Sequence, residues 1–272
     1  MVYQLRNIMV KIILNADDFG RSLERNKAID DSFKQGLILS AGLIVTGKYL
    51  QNAIEYITSG GYAKDVHLHL NLSTSLRDGN PEDIPITEVM RRDPFFCKNG
   101  RFLNYKELPH KFSDIRKWRI VYRELVAQYN KFIEVTNGKA DYKHIDFHLW
   151  YNLTWPVSIA LNVFIHKYKI KSVRFIGVHH MKSRRYKFLS WLSRPMRVIY
   201  LPATNIDYYL TKRKSLNSFN TIELYCHPNY KEGVFLDDSP SYLKHDRQPM
   251  LKQIQALKNL GNIEFISWNN LS

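Results

Sequence analysis

The chain has 272 residues, of which 44% are hydrophobic and 24% are charged, a length and composition that predict one globular domain spanning 1–272. Its 40 Lys and Arg residues outnumber its 25 Asp and Glu residues, so the formal net charge is +15 and the surface should attract anionic partners. The charge does not identify the partner, because nucleic acid, an anionic membrane and a phosphorylated substrate would all respond to it.

Only two cysteines are present, Cys97 and Cys226, and this argues against a disulfide framework or a zinc finger. Arg6 and Lys11 interrupt the apolar N-terminal run and no small-residue cleavage site follows, so no secretory signal is predicted. Apolar stretches stay shorter than the roughly 18 residues that cross a bilayer. We therefore expect a cytoplasmic protein.

Short apolar runs alternate along the chain with longer segments of helical period. Strand-like runs lie at 8–14, 38–45, 65–73, 142–150, 170–177, 219–228 and 263–268. Helical patterns lie at 22–36, 49–61, 118–135, 156–168 and 243–259. This alternation predicts parallel strands joined by crossover helices. Six to eight such repeats favour an α/β fold with a TIM-like barrel, incomplete or irregular, over a flat doubly wound sheet.

Two segments interrupt this alternation. Residues 75–112 carry four prolines and mixed charges, which predicts an ordered excursion above the barrel. Residues 181–197, MKSRRYKFLSWLSRPMR, carry six positive charges and no acidic residue, with apolar side chains at helical spacing. The second pattern is typical of a basic surface helix, and it also suits peripheral docking on an anionic membrane.

Polar side chains collect where four predicted strands end. In chain order they are Asp17 and Asp18, then His67, His69 and Asn71, then His144, Asp146 and His148, and finally Glu223, Cys226 and His227. A single strand-end Asp usually caps a helix, and a single buried His usually satisfies its hydrogen bonds within the core. Ligands of parallel α/β folds bind at the carboxyl ends of the strands, however, so four such groups together predict a functional site.

The adjacent carboxylates of Asp17 and Asp18 cannot point the same way along an extended backbone. One of them can therefore bind a cation while the other is free to accept a proton from water. Two histidines from other strands would complete a two-His, one-carboxylate set with open positions, as hydrolytic metal sites have. Non-haem Fe(II) oxygenases share this set, but the predicted parallel sheet disfavours them.

Four segments in this order, ILNADDFGRSLERNKAI, VHLHLNLS, HIDFHLW and ELYCHPNY, resemble the marker segments of the YdjC-like family of carbohydrate deacetylases, which includes chitooligosaccharide deacetylases. The resemblance spans nearly the whole chain. It implies an irregular TIM-like barrel that uses one divalent metal cation, Mg²⁺ or Zn²⁺, to remove an acetyl group from an N-acetylated sugar. The two imidazoles favour zinc, whereas the family is usually described with magnesium.

The resemblance also assigns roles by position. Asp18, His69 and His148 correspond to the metal ligands of the family, and Asp17 corresponds to its general base. His227 falls in the segment that contacts the substrate, as a general acid or a binding group. The expected reaction is an amide hydrolysis in which Asp17 takes a proton from the attacking water and His227 protonates the leaving amine.

The chain departs from the family pattern at several positions near these residues. They are His67 in place of Gly, Phe147 in place of Ser, Leu149 and Trp150 in place of a Gln-His pair, and Asn229 in place of Gly. None of them removes a predicted ligand, but together they alter the pocket wall. His67 would lie on the same strand face as His69, as a partner or an alternative ligand, and Trp150 would stack on a sugar ring or fill the core.

Three further residues are candidates for supporting roles. Asp146 would orient His148 or a neighbouring ring through a carboxylate–imidazole hydrogen bond. Arg174 corresponds to a family position that faces the substrate, although a surface ion pair would explain it equally well. Glu223 would bridge to a nearby basic group.

Other readings of the sequence stay open. The substitutions around HIDFHLW and HPNY would also suit a catalytically inactive carbohydrate-binding member of the same fold. A nucleic-acid-binding protein is disfavoured, because the chain shows no zinc-finger spacing, RNP-like segment or helix-turn-helix pattern. If residues 181–197 contact anionic lipid, the substrate would be lipid- or phosphate-linked. The sequence does not determine the assembly, and a homodimer is compatible with it.

Overall fold

We analysed a computed structural model of the chain, which describes residues 9–74, 83–104, 107, 114–148, 154–177, 187, 191, 198–216, 219–239 and 249–271. The strands are β1 (Val10–Phe19), β2 (Ser40–Leu43), β3 (Val66–Leu70), β4 (Cys97–Lys98), β5 (Arg101–Phe102), β6 (Asp141–Phe147), β7 (Ser172–Gly177), β8 (Ile199–Asn205), β9 (Thr221–Cys226), β10 (Pro228–Lys231), β11 (Val234–Asp237) and β12 (Ile263–Phe265). The α-helices are α1 (Leu23–Lys34), α2 (Leu50–Gly60), α3 (Glu88–Arg91), α4 (Trp118–Val135), α5 (Trp155–Tyr168), α6 (Ile206–Leu216) and α7 (Met250–Lys258).

Seven parallel strands of the described chain close into a barrel. Their order is β1, β2, β3, β6, β7, β8 and β9, and β9 pairs with β1 over Lys11–Ala16 to complete the ring. The short strand β12 pairs with the first residues of β1. From Asn15 onward, the same edge of β1 pairs with β2 instead. The predicted α/β barrel of parallel strands is therefore confirmed.

Strand β1 is buried on both faces, which explains its nearly continuous apolar sequence. Ile12, Leu14 and Ala16 belong to the main core, where the helices pack. Ile13 joins a separate small cluster with Trp268, and Asn15 reaches across the barrel to other strands. Alternate residues of β1 thus pack on opposite faces of the strand, and the face that carries Asn15 becomes polar toward its carboxyl end.

Helix α1 begins directly after the first strand turn. The Ser22 side chain accepts a hydrogen bond from the backbone N–H of Arg25, which caps the helix. Glu24 lies in the first turn and Lys34 in the last, as the helix dipole favours. This capped start holds the segment between β1 and α1 in place beside the barrel mouth.

Several elements follow the sequence pattern closely, and others do not. Helix α4 spans the predicted 118–135, whereas β1 continues past its apolar run into the carboxylates. Strand β8, helix α6 and the β10–β11 hairpin were not predicted. In the excursion at 75–112, the described part contains α3 and the β4–β5 hairpin.

Two predictions fall largely outside the described residues. Of the basic segment 181–197, only Lys187 and Trp191 are described, and Trp191 is exposed. The predicted start of the last helix at 243 also lies outside them, and α7 is described from Met250. None of the described helices combines the length and the apolarity that crossing a bilayer requires.

Candidate metal centre

A backbone irregularity at the end of β1 positions both carboxylates of the DDFG motif. The pairing of β1 with β2 shifts register between Ala16 and Phe19, and Asp18 has a positive φ of 71°. Asp tolerates this left-handed conformation better than most residues. This irregularity breaks the alternation of side chains, so Asp17 and Asp18 each direct one oxygen toward His227 Nε2, 3.9 Å away. The prediction that the two carboxylates cannot point the same way holds for a regular strand and is wrong here, although their other partners differ.

Asp18, His69 and His148 form a buried cluster that we call the metal triad. The three side chains offer ligand atoms within 4.8 Å of one another. Asp18 Oδ1 lies 2.7 Å from His148 Nδ1 and 3.4 Å from His69 Nε2. The barrel thus brings one carboxylate and two imidazoles together. Asp18 comes from β1, His69 from β3, and His148 directly follows β6.

The triad has the chemistry of a divalent-cation site. Two imidazoles and one carboxylate are ligands that Zn²⁺ and similar cations accept, with positions left for water and substrate. His69 Nε2 is buried and has no hydrogen-bond partner of good geometry among the described residues, although it points toward Asp18. A cation bound to this nitrogen would satisfy it, so the residues present fit the metal that the sequence predicts.

Asp17 belongs to a second, ion-paired group beside the triad. Its Oδ1 accepts hydrogen bonds from Arg174 Nη2 at 2.9 Å and from Asn15 Nδ2 at 2.8 Å. Ser40 in turn donates to Asn15 and fixes its amide. With Oδ1 occupied in this way, the other oxygen, Oδ2, lies on the side of His227.

Asp146 connects the triad to this ion-paired group. One carboxylate oxygen lies 2.5 Å from His69 Nδ1, and the other lies 3.0 Å from His67 Nε2. Arg174 donates to the same second oxygen, and its other nitrogen lies 3.4 Å from Glu223. Asp146 therefore orients His69 and not His148, while Arg174 is ion-paired to three buried carboxylates.

Asp17, His69 and Asp146 also lie close enough to form a metal-binding group. Arg174 contacts both carboxylates of that group, so a positive charge already stands between them. The triad with Asp18 is the better candidate for a metal ion, because it offers two imidazoles and because His69 Nε2 has no hydrogen-bond partner of good geometry among the described residues.

His227 lies at the mouth of the barrel, next to both carboxylates of the DDFG motif. Its Nε2 is 3.9 Å from Asp17 Oδ2 and 3.9 Å from Asp18 Oδ2. Its Nδ1 lies 2.8 Å from Ser239 Oγ, which donates to Asp237. This chain of contacts fixes the ring with Nε2 directed at the site, where it can exchange a proton.

The electrostatics of the site differ from one side chain to the next. Burial alone would raise the pKa of Asp18, but His148 outweighs it and holds that pKa well below its usual range. Burial alone would lower the pKa of His69, yet the charges of Asp146 and Asp17 raise it to about 10. Burial raises the pKa of Glu223 well above its usual value. His69 is thus protonated at neutral pH while Asp18 is ionised.

Binding of a cation at the triad should therefore release a proton from His69, because only an unprotonated ring nitrogen binds a metal. We expect the apparent affinity for Zn²⁺ to rise by roughly tenfold per pH unit between pH 7 and pH 9, below the pKa of about 10. Calorimetric titration in buffers of different ionisation enthalpy measures the proton count. Binding without proton release at pH 7.5 would contradict this expectation.

Gly42 of β2 leaves the space that His69 and Asp146 occupy. A Cβ at this position would lie 3.0 Å from His69 Cβ, 3.1 Å from its Nδ1 and 3.2 Å from Asp146 Oδ2. We expect Gly42→Ala to push the His69 ring, to destabilise the fold by about 1–3 kcal/mol and to weaken Zn²⁺ binding. Thermal unfolding and zinc titration test this. An unchanged unfolding temperature and an unchanged zinc affinity would show that the pocket accommodates the added methyl group.

The remaining predicted residues have varied surroundings. His67 contacts Asp146 and is not part of the triad. His144 stacks on Trp268 with ring centroids 3.2 Å apart. Trp150 lies outside the described residues, so its predicted roles stay predictions.

Arg21 and Asp83 are among the residues of the site that were not predicted, as are Asn15, Asp237 and Ser239. Arg21 lies 2.7 Å from His148 through Nη1 and 3.3 Å from Asp83 through Nη2. Arg21 directly follows the DDFG motif, and this adjacency was the available signal. Asp83 is the first described residue after position 74, and nothing in its local sequence indicates the contact.

Comparison with known proteins shows the family to which the chain belongs. The family model for the YdjC-like protein matches residues 11–259. The chain belongs to the YdjC-like family. Among its relatives, carbohydrate deacetylase 2 of Listeria innocua is 25% identical over 96% of this chain and 99% of its own length. The carbohydrate deacetylase of Clostridium beijerinckii is 24% identical over 96% of this chain and 97% of its own length.

Two further comparisons concern part of the chain and the fold of this YdjC-like protein. The carbohydrate deacetylase of Danio rerio is 32% identical over 51% of this chain and 41% of its own length. A crystal structure from Enterococcus faecalis V583, described as a candidate cellobiose-phosphate cleavage protein, superposes with a TM-score of 0.68. It covers 97% of this chain and 99% of its own at 18% identity, so this likeness shows the shared fold.

Proposed function

We propose that this YdjC-like protein is a divalent-cation-dependent deacetylase of N-acetylated sugars of the N-acetylglucosamine type. The observation that carries the proposal is the convergence of Asp18, His69 and His148 within 4.8 Å. A second carboxylate, that of Asp17, lies beside them. The relatives named carbohydrate deacetylases, which match nearly the full chain, support the same reaction class.

The metal triad would hold one cation, Mg²⁺ or Zn²⁺. When bound, the cation polarises the acetamide carbonyl and the water that attacks it. Which cation binds depends on the affinity of the ligands and on the availability of each metal. Two imidazoles favour Zn²⁺, whereas oxygen ligands suit Mg²⁺.

Asp17 serves as the general base in this proposal. Arg174 and Asn15 hold its Oδ1 by hydrogen bonds and leave Oδ2 directed toward the site. Oδ2 would accept a proton from the attacking water. Because Arg174 and Asn15 bind Oδ1, Oδ2 would accept this proton without movement of the side chain.

His227 serves as the general acid. Its Nε2 lies equally far from Asp17 and Asp18, at the open side of the site, and Ser239 and Asp237 support the opposite side of the ring. From this position Nε2 would donate a proton to the amine nitrogen as the C–N bond breaks. Asp17 would take one proton from water and His227 would give one to the leaving amine. The hydrolysis to acetic acid and a free amine balances when the proton on Asp17 returns to His227, whose Nε2 lies 3.9 Å from Asp17 Oδ2.

Acetate release from N-acetylglucosamine oligomers tests the proposal. Protein stripped of metal with a chelator should be inactive, and Zn²⁺ or Mg²⁺ should restore turnover. His69→Ala and His148→Ala should bind neither cation. Full activity after exhaustive metal removal would refute metal dependence, whereas sugar binding without acetate release would indicate the catalytically inactive carbohydrate-binding alternative.

The proposed substrate includes phosphate- and lipid-linked forms of these sugars. The net charge of +15 and the six positive charges in 181–197 support an anionic substrate. Comparing acetate release from free, nucleotide-linked and lipid-linked N-acetyl sugars tests this part of the proposal. Equal kcat/KM for charged and neutral substrates at low salt would argue for a neutral sugar.

A further inference from the structure

Arg21 places a permanent positive charge against the metal triad. Its side chain is 4% exposed and enters the site from the turn between β1 and α1. Arg21 Nη1 lies 2.7 Å from His148 Nε2, 3.4 Å from His148 Nδ1 and 3.8 Å from Asp18 Oδ2. Asp83 Oδ2 accepts from Arg21 Nη2 at 3.3 Å. Arg21 therefore contacts two of the three triad residues.

A guanidinium has only N–H donors, so its contact with His148 Nε2 requires a lone pair on that nitrogen. A neutral imidazole has one nitrogen with a lone pair and one that carries hydrogen. In the contact with Arg21, Nε2 is the acceptor, and Nδ1 carries the hydrogen that faces Asp18 Oδ1 at 2.7 Å. The tautomer of His148 is thus set by Arg21 on one side and Asp18 on the other.

A cation at the triad is incompatible with this arrangement, whichever nitrogen binds it. If Nδ1 is the ligand, its lone pair goes to the cation, and Nε2 must carry a hydrogen that opposes the N–H of Arg21. If Nε2 is the ligand, the guanidinium lies where the cation belongs, because zinc–nitrogen bonds are about 2.0–2.1 Å long. In both cases the contact between Arg21 and His148 must break.

We propose that Arg21 is an internal cation that the divalent metal displaces, and that its charge sets the metal affinity of the triad. This inference rests on the proposed function, because it takes the triad as the metal site. Asp83 gives the displaced guanidinium a fixed counter-charge beside the site. Arg21 is thus a positioning residue whose effect appears in metal binding before any substrate is present.

The charge of Arg21 should weaken metal binding considerably. Its nitrogen is within 4 Å of two triad side chains, and repulsion between a guanidinium and a dication at such distances is large in a buried site. Removing the charge should strengthen Zn²⁺ binding by roughly tenfold to hundredfold. The dissociation constant is measured on the full-length protein by competition with a zinc-chelating dye.

The variant Arg21→Met keeps a long apolar side chain and removes the charge, but it leaves Asp83 buried without this partner. The double variant Arg21→Met, Asp83→Asn removes both charges and guards against poor folding. Arg25→Met is the matched control, because Arg25 is 3% exposed, lies in the first turn of α1 and pairs with Asp238 outside the triad. Circular dichroism of each variant is the test that it is folded.

Tighter zinc binding by at least tenfold in both Arg21 variants, with Arg25→Met within about twofold of the wild type, supports the inference. Equal affinity in the wild type and the Arg21 variants overturns it and leaves the proposed function intact. An equal gain in Arg25→Met overturns it as well, because the effect would then come from net charge. If neither the wild type nor any variant binds zinc, the metal site itself fails, and the proposed function with it.

Discussion

The variant Asp17→Asn should lose turnover by about two to four orders of magnitude while it still binds its metal, which is the expected effect of removing a general base. Asparagine keeps the shape of aspartate, and its Oδ1 can accept the same hydrogen bonds from Arg174 and Asn15. The fold should therefore be retained. Acetate release and metal content are measured on the same preparation.

The neighbouring variant Asp18→Asn is the decisive comparison for this prediction. Asp18 is the carboxylate that lies 2.7 Å from His148, so its loss should empty the triad of metal. Asp31→Asn serves as a control for the loss of one negative charge, because Asp31 pairs with Lys27 on the surface of α1. If Asp17→Asn lost the metal and Asp18→Asn kept it, the two roles would have to be exchanged.

The largest effect on stability is expected for Arg174→Met. Arg174 is fully buried and is ion-paired to Asp17, Asp146 and Glu223. Removing one partner of a buried ionic cluster leaves uncompensated charge and typically costs about 3–5 kcal/mol. We expect a loss of at least that size in the free energy of unfolding, measured by denaturant titration.

The pH dependence of this loss provides a second readout. Arg174 lowers the pKa of both Asp146 and Glu223, so without it these two buried carboxyl groups bind protons more strongly than they do in the wild type. Stability of the variant should therefore increase relative to wild type as the pH falls from 8 to 5. Arg92→Met is the control, because Arg92 is exposed and pairs with Glu88 on the surface, so it should lose less than about 1 kcal/mol. A loss of the same size in both variants would contradict the buried-cluster argument.

The site combines catalytic groups with groups that are costly to bury. Arg174 places one guanidinium within ion-pair distance of Asp17, Asp146 and Glu223 in a fixed geometry, and this lowers the cost of burying the three carboxyl groups. The same arrangement directs Asp17 toward the site and gives Asp146 a position from which it orients His69. One arginine thus supports both the stability of the barrel interior and the geometry of the candidate base.

The barrel class could be predicted from the sequence because its signal is local. A parallel strand buried on both faces must be almost entirely apolar, and the crossover helix after it must carry an amphipathic stripe. Helix α4 at Trp118–Val135 shows how closely such a stripe defines an element. Strand β8 (Ile199–Asn205) was not predicted, since Pro202 and Asn205 weaken its apolar pattern, and pairing with β7 and β9 supplies the missing stability.

The candidate triad was also predictable, because carboxyl ends of parallel strands meet at one end of a barrel wherever they lie in the chain. Asp18, His69 and His148 are far apart in sequence, and this rule is enough to bring them together. The order of strands around the ring was not needed for that step.

The sequence by itself determined the kind of fold, the family and the residues that gather at the barrel mouth, since periodicity, motifs and strand ends are properties of short segments. Only the tertiary structure determined which charged side chains pair with one another. The bulge that turns Asp18 beside Asp17, the pairing of Arg174 with three carboxylates and the contact of Arg21 with His148 depend on distances between strands and loops. Local sequence does not encode such distances, because they arise when the ring closes and every buried charge must find a partner.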